Sequence, residues 1–283
     1  MTFIAPTLLK KKARKNRSDC NCKDFKKVKY IEYRKSPPGE INLGLDLKNY
    51  KRLFFQCKGC KHLFAYHKKF NTKNLYSGKY VDETYGSLGG IEKSFLKIRS
   101  LPKKKSDNFS RCNRLEKLIK FNKKLKVLDI GTGLGIFPYE LSNRGYEVVC
   151  NDPDLKSVKF IKKYLKLKAI LGNFLKIKVK KKFDIITFNK VLEHIEKPKL
   201  FILKARSFLK TRGYLYLEVP DVLAINDKIR ENREEFLMGH YHVFSKKSLK
   251  GFIESCNFKV LNLKSIRDPS GKYTIFAFAK KIK

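Results

Sequence analysis

The sequence lacks long apolar runs. No stretch approaches the ~18–20 apolar residues that a membrane-spanning helix needs, and the short N-terminal apolar patch precedes its basic residues, the reverse of a secretory signal. Both absences predict a cytoplasmic protein with no transmembrane segment. There is also no internal repeat. Hydrophobic residues make up 42% of the 283, enough for a sizeable core.

Acidic residues are scarce, because 26 Asp and Glu stand against 66 Lys and Arg, a formal net charge of +40. Clustered cations bind nucleic acid by neutralising phosphates. Most of these cations are lysines spread along the whole chain, however, whereas proteins that read nucleic acid lean on arginine for bidentate contacts. Solvated surfaces are therefore the favoured interpretation, and nucleic acid is the alternative. The charge also suits an anionic small molecule.

The pattern along the chain divides it into three segments. Residues 1–19 form a basic tail, and residues 20–104 hold short strand-like pieces, four of the seven cysteines and an aromatic linker with Tyr76, Tyr80 and Tyr85. From 105 to 283 strands alternate with helices, which predicts a doubly wound α/β domain with a parallel sheet. The last two strands are joined only by "RDPSG", so they must pair antiparallel.

The first strand of this domain ends in a glycine loop, "KVLDIGTGLGIF". Dinucleotide enzymes use G-x-G-x-x-G, but here Gly131, Gly133 and Gly135 alternate, and Ile136 stands where the third glycine would fall. Asp129 lies two residues before the loop, where a carboxylate suits an ammonium group better than a pyrophosphate. The spacing favours S-adenosylmethionine, although the glycines could also serve only a tight turn and close helix packing.

"VLDIGTGLGIF" resembles motif I of the class I S-adenosylmethionine-dependent methyltransferases, whose Rossmann-like fold is a seven-stranded sheet ending in an antiparallel strand pair. In that family an acidic residue after the second strand holds the ribose, and Asp152 matches it, while also being a candidate N-cap for a helix beginning at Pro153. Asn173 stands where many relatives have Asp beside the adenine. The resemblance implies a cofactor site made of Asp129, Gly131, Thr132, Gly133, Gly135, Asp152, Pro153, Asn173, Phe174 and Asn189.

Two histidine-bearing segments resemble the branch of this family that methylates small molecules. "FNKVLEHIEKP" carries His194, and "HYHVFSKKSL" carries His240 and His242 within a stretch, 221–244, that is a candidate lid. All three are candidate proton acceptors, since imidazole titrates near neutral pH. His194 could equally orient its loop. At i and i+2 in an extended chain, only one of His240 and His242 faces a substrate.

Two cysteine pairs lie in the second segment. Cys57 and Cys60 form a C-x-x-C knuckle, and Cys20 and Cys22 form a tighter pair upstream, so together they predict a structural zinc site in a small N-terminal β segment. His62 or His67 could replace one thiolate. A disulfide and unrelated thiols are the alternatives. The other cysteines, Cys112, Cys150 and Cys256, fit buried apolar positions.

The segments together predict methyl transfer to a small anionic or sugar-like acceptor. The zinc-ribbon-like segment and aromatic linker resemble methyltransferases found with surface-polysaccharide and sugar-modifying enzymes, which implies a nucleotide-linked or lipid-linked sugar. RNA methylation is one alternative, disfavoured because N-K-V-L replaces the N/D-P-P-[FY] often seen where a base amine is methylated. An inactive zinc-binding scaffold is another, disfavoured by the intact Asp129, glycine triplet and Asp152.

Overall fold

A computed structural model describes most of the chain, and every structural statement below refers to residues 20, 22, 26–36, 50–67, 88–119, 125–226, 233–236 and 239–282. The predicted tail 1–19 and the three tyrosines of the aromatic linker lie outside these residues. Among the described residues, no helix combines the length and apolarity needed to cross a bilayer.

A seven-stranded sheet forms the centre of the protein, in the order β10-β11-β8-β7-β4-β5-β6. Strands β4 to β8 are mutually parallel, and β10 and β11 add an antiparallel pair at the edge. This confirms the predicted doubly wound architecture. The strands are β4 Lys126–Ile130, β5 Glu147–Asp152, β6 Lys168–Leu171, β7 Phe183–Asn189, β8 Leu209–Pro220, β10 Phe258–Arg267 and β11 Tyr273–Lys281.

Helices cover both faces of this sheet because neighbouring residues of a strand point to opposite sides. Val127 packs with α2 on one face, whereas Leu128 packs with α5 and α6 on the other. Both core clusters consist of buried side chains, which is typical of a parallel sheet. The helices are α1 Leu88–Arg99, α2 Asp107–Ile119, α3 Ile136–Asn143, α4 Leu155–Lys163, α5 Pro198–Phe208 and α6 Lys246–Glu254.

A buried ion cluster fastens α2 to β8. Arg111 Nε donates to Glu218 Oε2 at 2.8 Å, and Arg114 Nη2 donates to Oε1 of the same carboxylate at 2.8 Å. Glu218 has no exposed surface. Burial alone would raise the pKa of Glu218, but the two guanidinium charges outweigh it and bring the pKa down to about 2. Glu218 is therefore ionised throughout the physiological range.

A second, four-stranded sheet has the order β1-β2-β3-β9, with strands β1 Lys27–Tyr33, β2 Arg52–Cys57, β3 Leu63–His67 and β9 His242–Val243. The first three come from the N-terminal segment, but β9 belongs to the stretch between β8 and α6. Its residues pair antiparallel with β3, Leu63 opposite Val243 and Phe64 opposite His242. The predicted boundary at residue 104 stays a prediction, yet this sheet joins parts of the chain from both sides of it.

One local prediction needs correction. The helix expected from Pro153 begins at Leu155, and its N-cap is Asp154 rather than Asp152, because the Asp154 carboxylate accepts the Ser157 N–H at 2.7 Å. Helix α1 lies within the predicted segment 20–104, after the tyrosines of the aromatic linker, and was not predicted from the sequence.

Candidate functional site

The glycine loop lies at the carboxyl end of β4, where parallel strands present their last residues along one edge. It is tied to β5 by the Gly131 N–H, which donates to the Asn151 carbonyl at 2.8 Å. Gly131 and Gly133 have φ of +67° and +57°, a left-handed conformation that favours glycine. A Cβ on Gly131 would lie 2.6 Å from Val191 Cγ2, but a Cβ on Gly133 would meet nothing within 4 Å. The loop thus leaves open space at Gly133.

Gly135 has a different surrounding. A Cβ there would lie 2.7 Å from Leu165 Cδ1 and 3.0 Å from Ile161 Cγ1, so this glycine lets the start of α3 approach α4 and its following residues. The expectation of close helix packing therefore holds at Gly135, and the open space belongs to Gly133.

Asp129 is buried at the end of β4 and bound from β7. Its Oδ1 accepts the Thr187 hydroxyl at 2.6 Å and the Asn189 Nδ2 at 3.0 Å. Burial raises the pKa of Asp129 to about 6, although hydrogen bonds from Thr187 and Thr132 act against it. The amide oxygen of Asn189 is buried and accepts no hydrogen bond from the described residues. A buried acceptor usually has a hydrogen-bond donor. Because this one lies on a side chain that also contacts a carboxylate, the position suits a donor that carries positive charge.

Asp152 lies at the end of β5, next to the open space at Gly133. Its Oδ2 accepts the Gly133 N–H at 2.8 Å, and its Oδ1 accepts the Asp154 N–H at 2.9 Å. Burial raises the pKa of Asp152 to about 6 despite these two hydrogen bonds. Each carboxylate oxygen retains capacity for one more donor, such as a hydroxyl.

The remaining predicted cofactor residues divide between this edge and the core. Thr132 and Pro153 lie half-buried in the loops after β4 and β5, and the Asn173 side chain accepts the Leu175 N–H at 2.9 Å, which shapes the turn after β6. Phe174 is only 2% exposed, and its ring packs edge-on against Phe188 in the core. The ring of Phe174 therefore belongs to the core, and its place in the cofactor site stays a prediction.

Glu193, His194 and His240 come together beside this edge. They offer one carboxylate oxygen and two ring nitrogens that all lie within 4.8 Å of one another. Glu193 is 1% exposed, and neither carboxylate oxygen finds a hydrogen-bond partner among the described residues. Burial raises the pKa of Glu193 to about 7. The rings of His194 and His240 meet edge to face, with centroids 4.6 Å apart.

Backbone carbonyls set the tautomers of the two histidines. Nδ1 of His194 lies 3.0 Å from the Gly239 carbonyl, and Nδ1 of His240 lies 3.0 Å from the Glu235 carbonyl. Since a carbonyl can only accept, Nδ1 carries the proton and Nε2 carries the lone pair of each neutral ring. Burial lowers the pKa of His194 to about 4 and that of His240 well below its usual value. The three groups can accept a proton or ligate a divalent cation.

His242, the third predicted catalytic histidine, lies elsewhere. It has no exposed surface, and its Nδ1 lies 3.1 Å from Nε2 of His62. The ring lies beside the rings of His62, Phe64 and Phe244. Burial lowers the pKa of His242 to about 4.

Three of the four predicted zinc ligands converge. The sulfurs of Cys20, Cys57 and Cys60 lie within 4.8 Å of one another, and all three residues are buried. Cys22 is half-buried and packs against this cluster. His62 contacts His242 and Ser248 instead, and the side chain of His67 lies outside the description. Cys112, Cys150 and Cys256 are buried elsewhere, as expected.

Sequence reasoning missed several residues of the site. Thr187 and Asn151 are polar positions in apolar strands, and that contrast is a usable signal, because a buried polar side chain must be hydrogen-bonded. Asn151 Nδ2 donates to the carbonyls of Ile170 and Gly172, which fixes the loop after β6. His62 was considered only as a metal ligand.

With this geometry in place, comparison with known proteins is decisive about the family. Residues 101–263, more than half of the chain, match the protein family described as "Methyltransferase domain". The chain belongs to this methyltransferase family. Its curated relatives include the mitochondrial ubiquinone biosynthesis O-methyltransferase of Schizosaccharomyces pombe, 30% identical over 100 residues that span 32% of this chain and 36% of the relative. The chain spans about a third to a half of the length of the curated relatives it matches.

Solved methyltransferase structures share the fold. The 1,6-didemethyltoxoflavin-N1-methyltransferase of Burkholderia thailandensis, solved with S-adenosylhomocysteine, is 13% identical with a TM-score of 0.54, over 79% of this chain and 96% of that one. The magnesium protoporphyrin IX methyltransferase of Synechocystis PCC 6803, also with bound S-adenosylhomocysteine, is 17% identical with a TM-score of 0.53, over 73% and 100% of the two chains. At these identities the likeness is one of fold.

Proposed function

We propose that this chain transfers a methyl group from S-adenosylmethionine to an oxygen atom of a small molecule. The observation that carries the proposal is the edge of the sheet where two buried carboxylates, Asp129 and Asp152, flank the open space at Gly133. The family match and the cofactor product bound in structural neighbours support it.

The residues at this edge fit the cofactor. The ammonium of its methionine end would be held by Asn189 Oδ1, a buried acceptor with no donor, beside the Asp129 carboxylate. The ribose hydroxyls would donate to Asp152. Open space at Gly133 would take the part of the cofactor between them. When bound, the cofactor supplies an electrophilic methyl group on a sulfonium.

Glu193, His194 and His240 form the acceptor side. The acceptor oxygen would bond to the methyl carbon as the carbon–sulfur bond breaks and S-adenosylhomocysteine leaves, while the hydroxyl proton would pass to Nε2 of His240. The His240 Nδ1–H bond to Glu235 fixes this ring, and ionised Glu193 within 4.8 Å stabilises the imidazolium that forms. Since His242 is enclosed, we give it no part in this step. Oxygen methylation also accords with the names of the curated relatives.

Among small acceptors, we propose an anionic or sugar-like molecule, such as a nucleotide-linked or lipid-linked sugar, on the strength of the +40 net charge. RNA is the competing substrate. Methyl transfer from labelled S-adenosylmethionine is to be measured on nucleotide sugars, lipid-linked sugars, neutral phenols and RNA. Label on phenols alone refutes the anionic acceptor, and label on RNA alone refutes the small molecule.

Cofactor titration by calorimetry tests the enzyme proposal itself. S-adenosylhomocysteine should bind the wild-type chain, and Asp129→Asn should weaken binding, whereas Asp184→Asn should not, since Asp184 is the half-buried ion-pair partner of Lys210 at the start of β7. Absence of binding to the wild type would leave only the inactive scaffold.

We also propose a structural zinc ion at Cys20, Cys57 and Cys60 with Cys22 as fourth ligand. Four thiolates at about 2.3 Å from zinc lie about 3.8 Å apart, and the three clustered sulfurs lie within 4.8 Å of one another. The chain should carry one zinc per molecule by elemental analysis. Cys57→Ser should lose it and Cys256→Ala should keep it. A zinc-free wild type, expressed with zinc supplied, contradicts the site.

A further inference from the structure

His62 lies at the junction of the two sheets. It follows the turn that carries Cys60 and precedes β3, and it has no exposed surface. Its Nδ1 lies 3.1 Å from the Ser248 hydroxyl on α6, and its Nε2 lies 3.1 Å from Nδ1 of His242 on β9. The ring thus links the N-terminal sheet, the start of α6 and the strand that follows His240.

The strand segment around β9 is held from both edges. On one edge the Ala65 N–H donates to the Tyr241 carbonyl at 2.9 Å, continuing the pairing of β3 with β9. On the other edge the Tyr241 N–H donates to the Glu193 carbonyl at 2.6 Å. Tyr241 therefore connects the N-terminal sheet directly to a short 3-10 helix, Leu192–His194, that carries Glu193 and His194.

The cysteine turn is fixed to the same place. Ser245, the N-cap of α6, donates its hydroxyl to the Cys60 carbonyl, and Lys247 Nζ donates to the Gly59 carbonyl at 2.9 Å. The His62 ring is also enclosed by aromatic rings, with centroid distances of 4.4 Å to Phe64 and 4.5 Å to Phe244. The position of the ring is consequently set independently of the glycine loop.

We infer that His62 is a positioning residue for the acceptor side. Through its bonds to His242 and Ser248 it fixes β9 against β3, and β9 in turn sets where His240 meets His194 and Glu193. This inference rests on the proposed function in taking His240 as the acceptor-side base. It gives the N-terminal cysteine-rich sheet a share in the site although none of its residues belongs to the Glu193, His194 and His240 group.

The test measures the tautomers of the histidine rings in the full chain by NMR. The sequence has five histidines, so each ring can be assigned in a two-dimensional proton–nitrogen spectrum of nitrogen-labelled protein. The wild type should show His240 with its proton on Nδ1, as the Glu235 contact requires. His62→Phe keeps an aromatic ring between Phe64 and Phe244 but removes both hydrogen bonds. It should shift His240 toward the Nε2–H tautomer of exposed imidazole.

Cofactor binding distinguishes this effect from unfolding and from failure of the proposed function. The affinity of His62→Phe for S-adenosylhomocysteine should stay within about threefold of wild type, because Asp129, Gly133 and Asp152 lie in other elements. If His62→Phe does not fold, His62→Asn, which can retain the Ser248 contact, takes the same test. The matched control Ser255→Ala, at the far end of α6, should leave all rings unchanged. A folded His62 variant with an unchanged His240 ring overturns the inference, even if methyl transfer by the wild type is established.

Discussion

The backbone N–H of Gly133 donates to Oδ2 of Asp152 at 2.8 Å. This bond ties the glycine loop after β4 to the carboxylate at the end of β5, so it joins the two sides of the proposed cofactor site. Substitutions on either side should therefore affect cofactor binding before they affect the fold.

Gly133→Ala should weaken S-adenosylhomocysteine binding about tenfold or more, because the new Cβ enters the open space proposed for the cofactor. The positive φ should also lower the free energy of unfolding by about 1 kcal/mol. Gly251→Ala is the matched control, since Gly251 lies in α6 with nothing within 4 Å of an added Cβ, and alanine there should stabilise the chain. Calorimetry and thermal melts measure both quantities.

Cofactor binding should weaken in acid. The pKa values of Asp129 and Asp152 are both about 6, raised by burial, so both groups are ionised above that pH and become protonated below it. A protonated Asp129 no longer attracts an ammonium. The dissociation constant should be flat from pH 7 to 8 and then rise below about pH 6, by about tenfold per unit for each carboxylate that binding requires ionised. A constant affinity down to pH 5 would contradict both roles.

Glu193→Gln should reduce kcat by about a hundredfold, a typical loss for proton-transfer groups, with cofactor affinity unchanged. The pKa of Glu193 is about 7 because of burial, so wild-type kcat at saturating cofactor should fall as pH drops below 7, and this fall should vanish in the variant. Glu196→Gln, exposed three residues further on, is the control. Assays in EDTA and with added Mg²⁺ decide whether Glu193, His194 and His240 ligate a cation. Equal rates in the two assays would assign these residues to proton transfer alone.

Glu218→Gln should lower the free energy of unfolding by about 3–5 kcal/mol, because it leaves the buried guanidinium of Arg111 without its counter-charge. Glu254→Gln is the control, because Glu254 and its ion-pair partner Lys250, 3.9 Å away, are both exposed. It should change the free energy of unfolding by less than about 0.5 kcal/mol. In the wild type the ion cluster stabilises the fold fully above the ordinary glutamate pKa of 4.5, and this contribution is lost as pH falls toward about 2. Denaturant titrations at several pH values measure both effects.

Local sequence patterns were sufficient to predict the large sheet and its cofactor edge. Asp129 and the glycine loop follow an apolar run, and Asp152 ends the next strand, so the convergence of parallel strands places them together. The cofactor contact expected of Phe174 stays a prediction. Its ring packs against Phe188 in the core, and a phenylalanine after a strand gives no sequence signal that separates a core position from a ligand contact.

Long-range contacts of the site left no comparable local signal. Thr187 binds Asp129 across 58 residues, and β9 comprises two residues, too short for any periodicity. Its partner β3 was not distinguished from the cysteine turn. His242 is separated from His194 and His240 because it lies in β9, which pairs with β3. The sequence alone predicted only that His240 and His242, two residues apart in an extended chain, point to opposite sides.

The pairing of β3 with β9 has a consequence for how the chain is made. His62 and His242 lie 180 residues apart, so during synthesis β1 to β3 leave the ribosome long before the strand that completes their sheet. Until then β3 presents an unpaired edge, the kind of surface through which nascent chains aggregate or swap strands. Docking of β9 should therefore be a late folding event, and proteolysis in the stretch between β8 and α6 should expose that edge again.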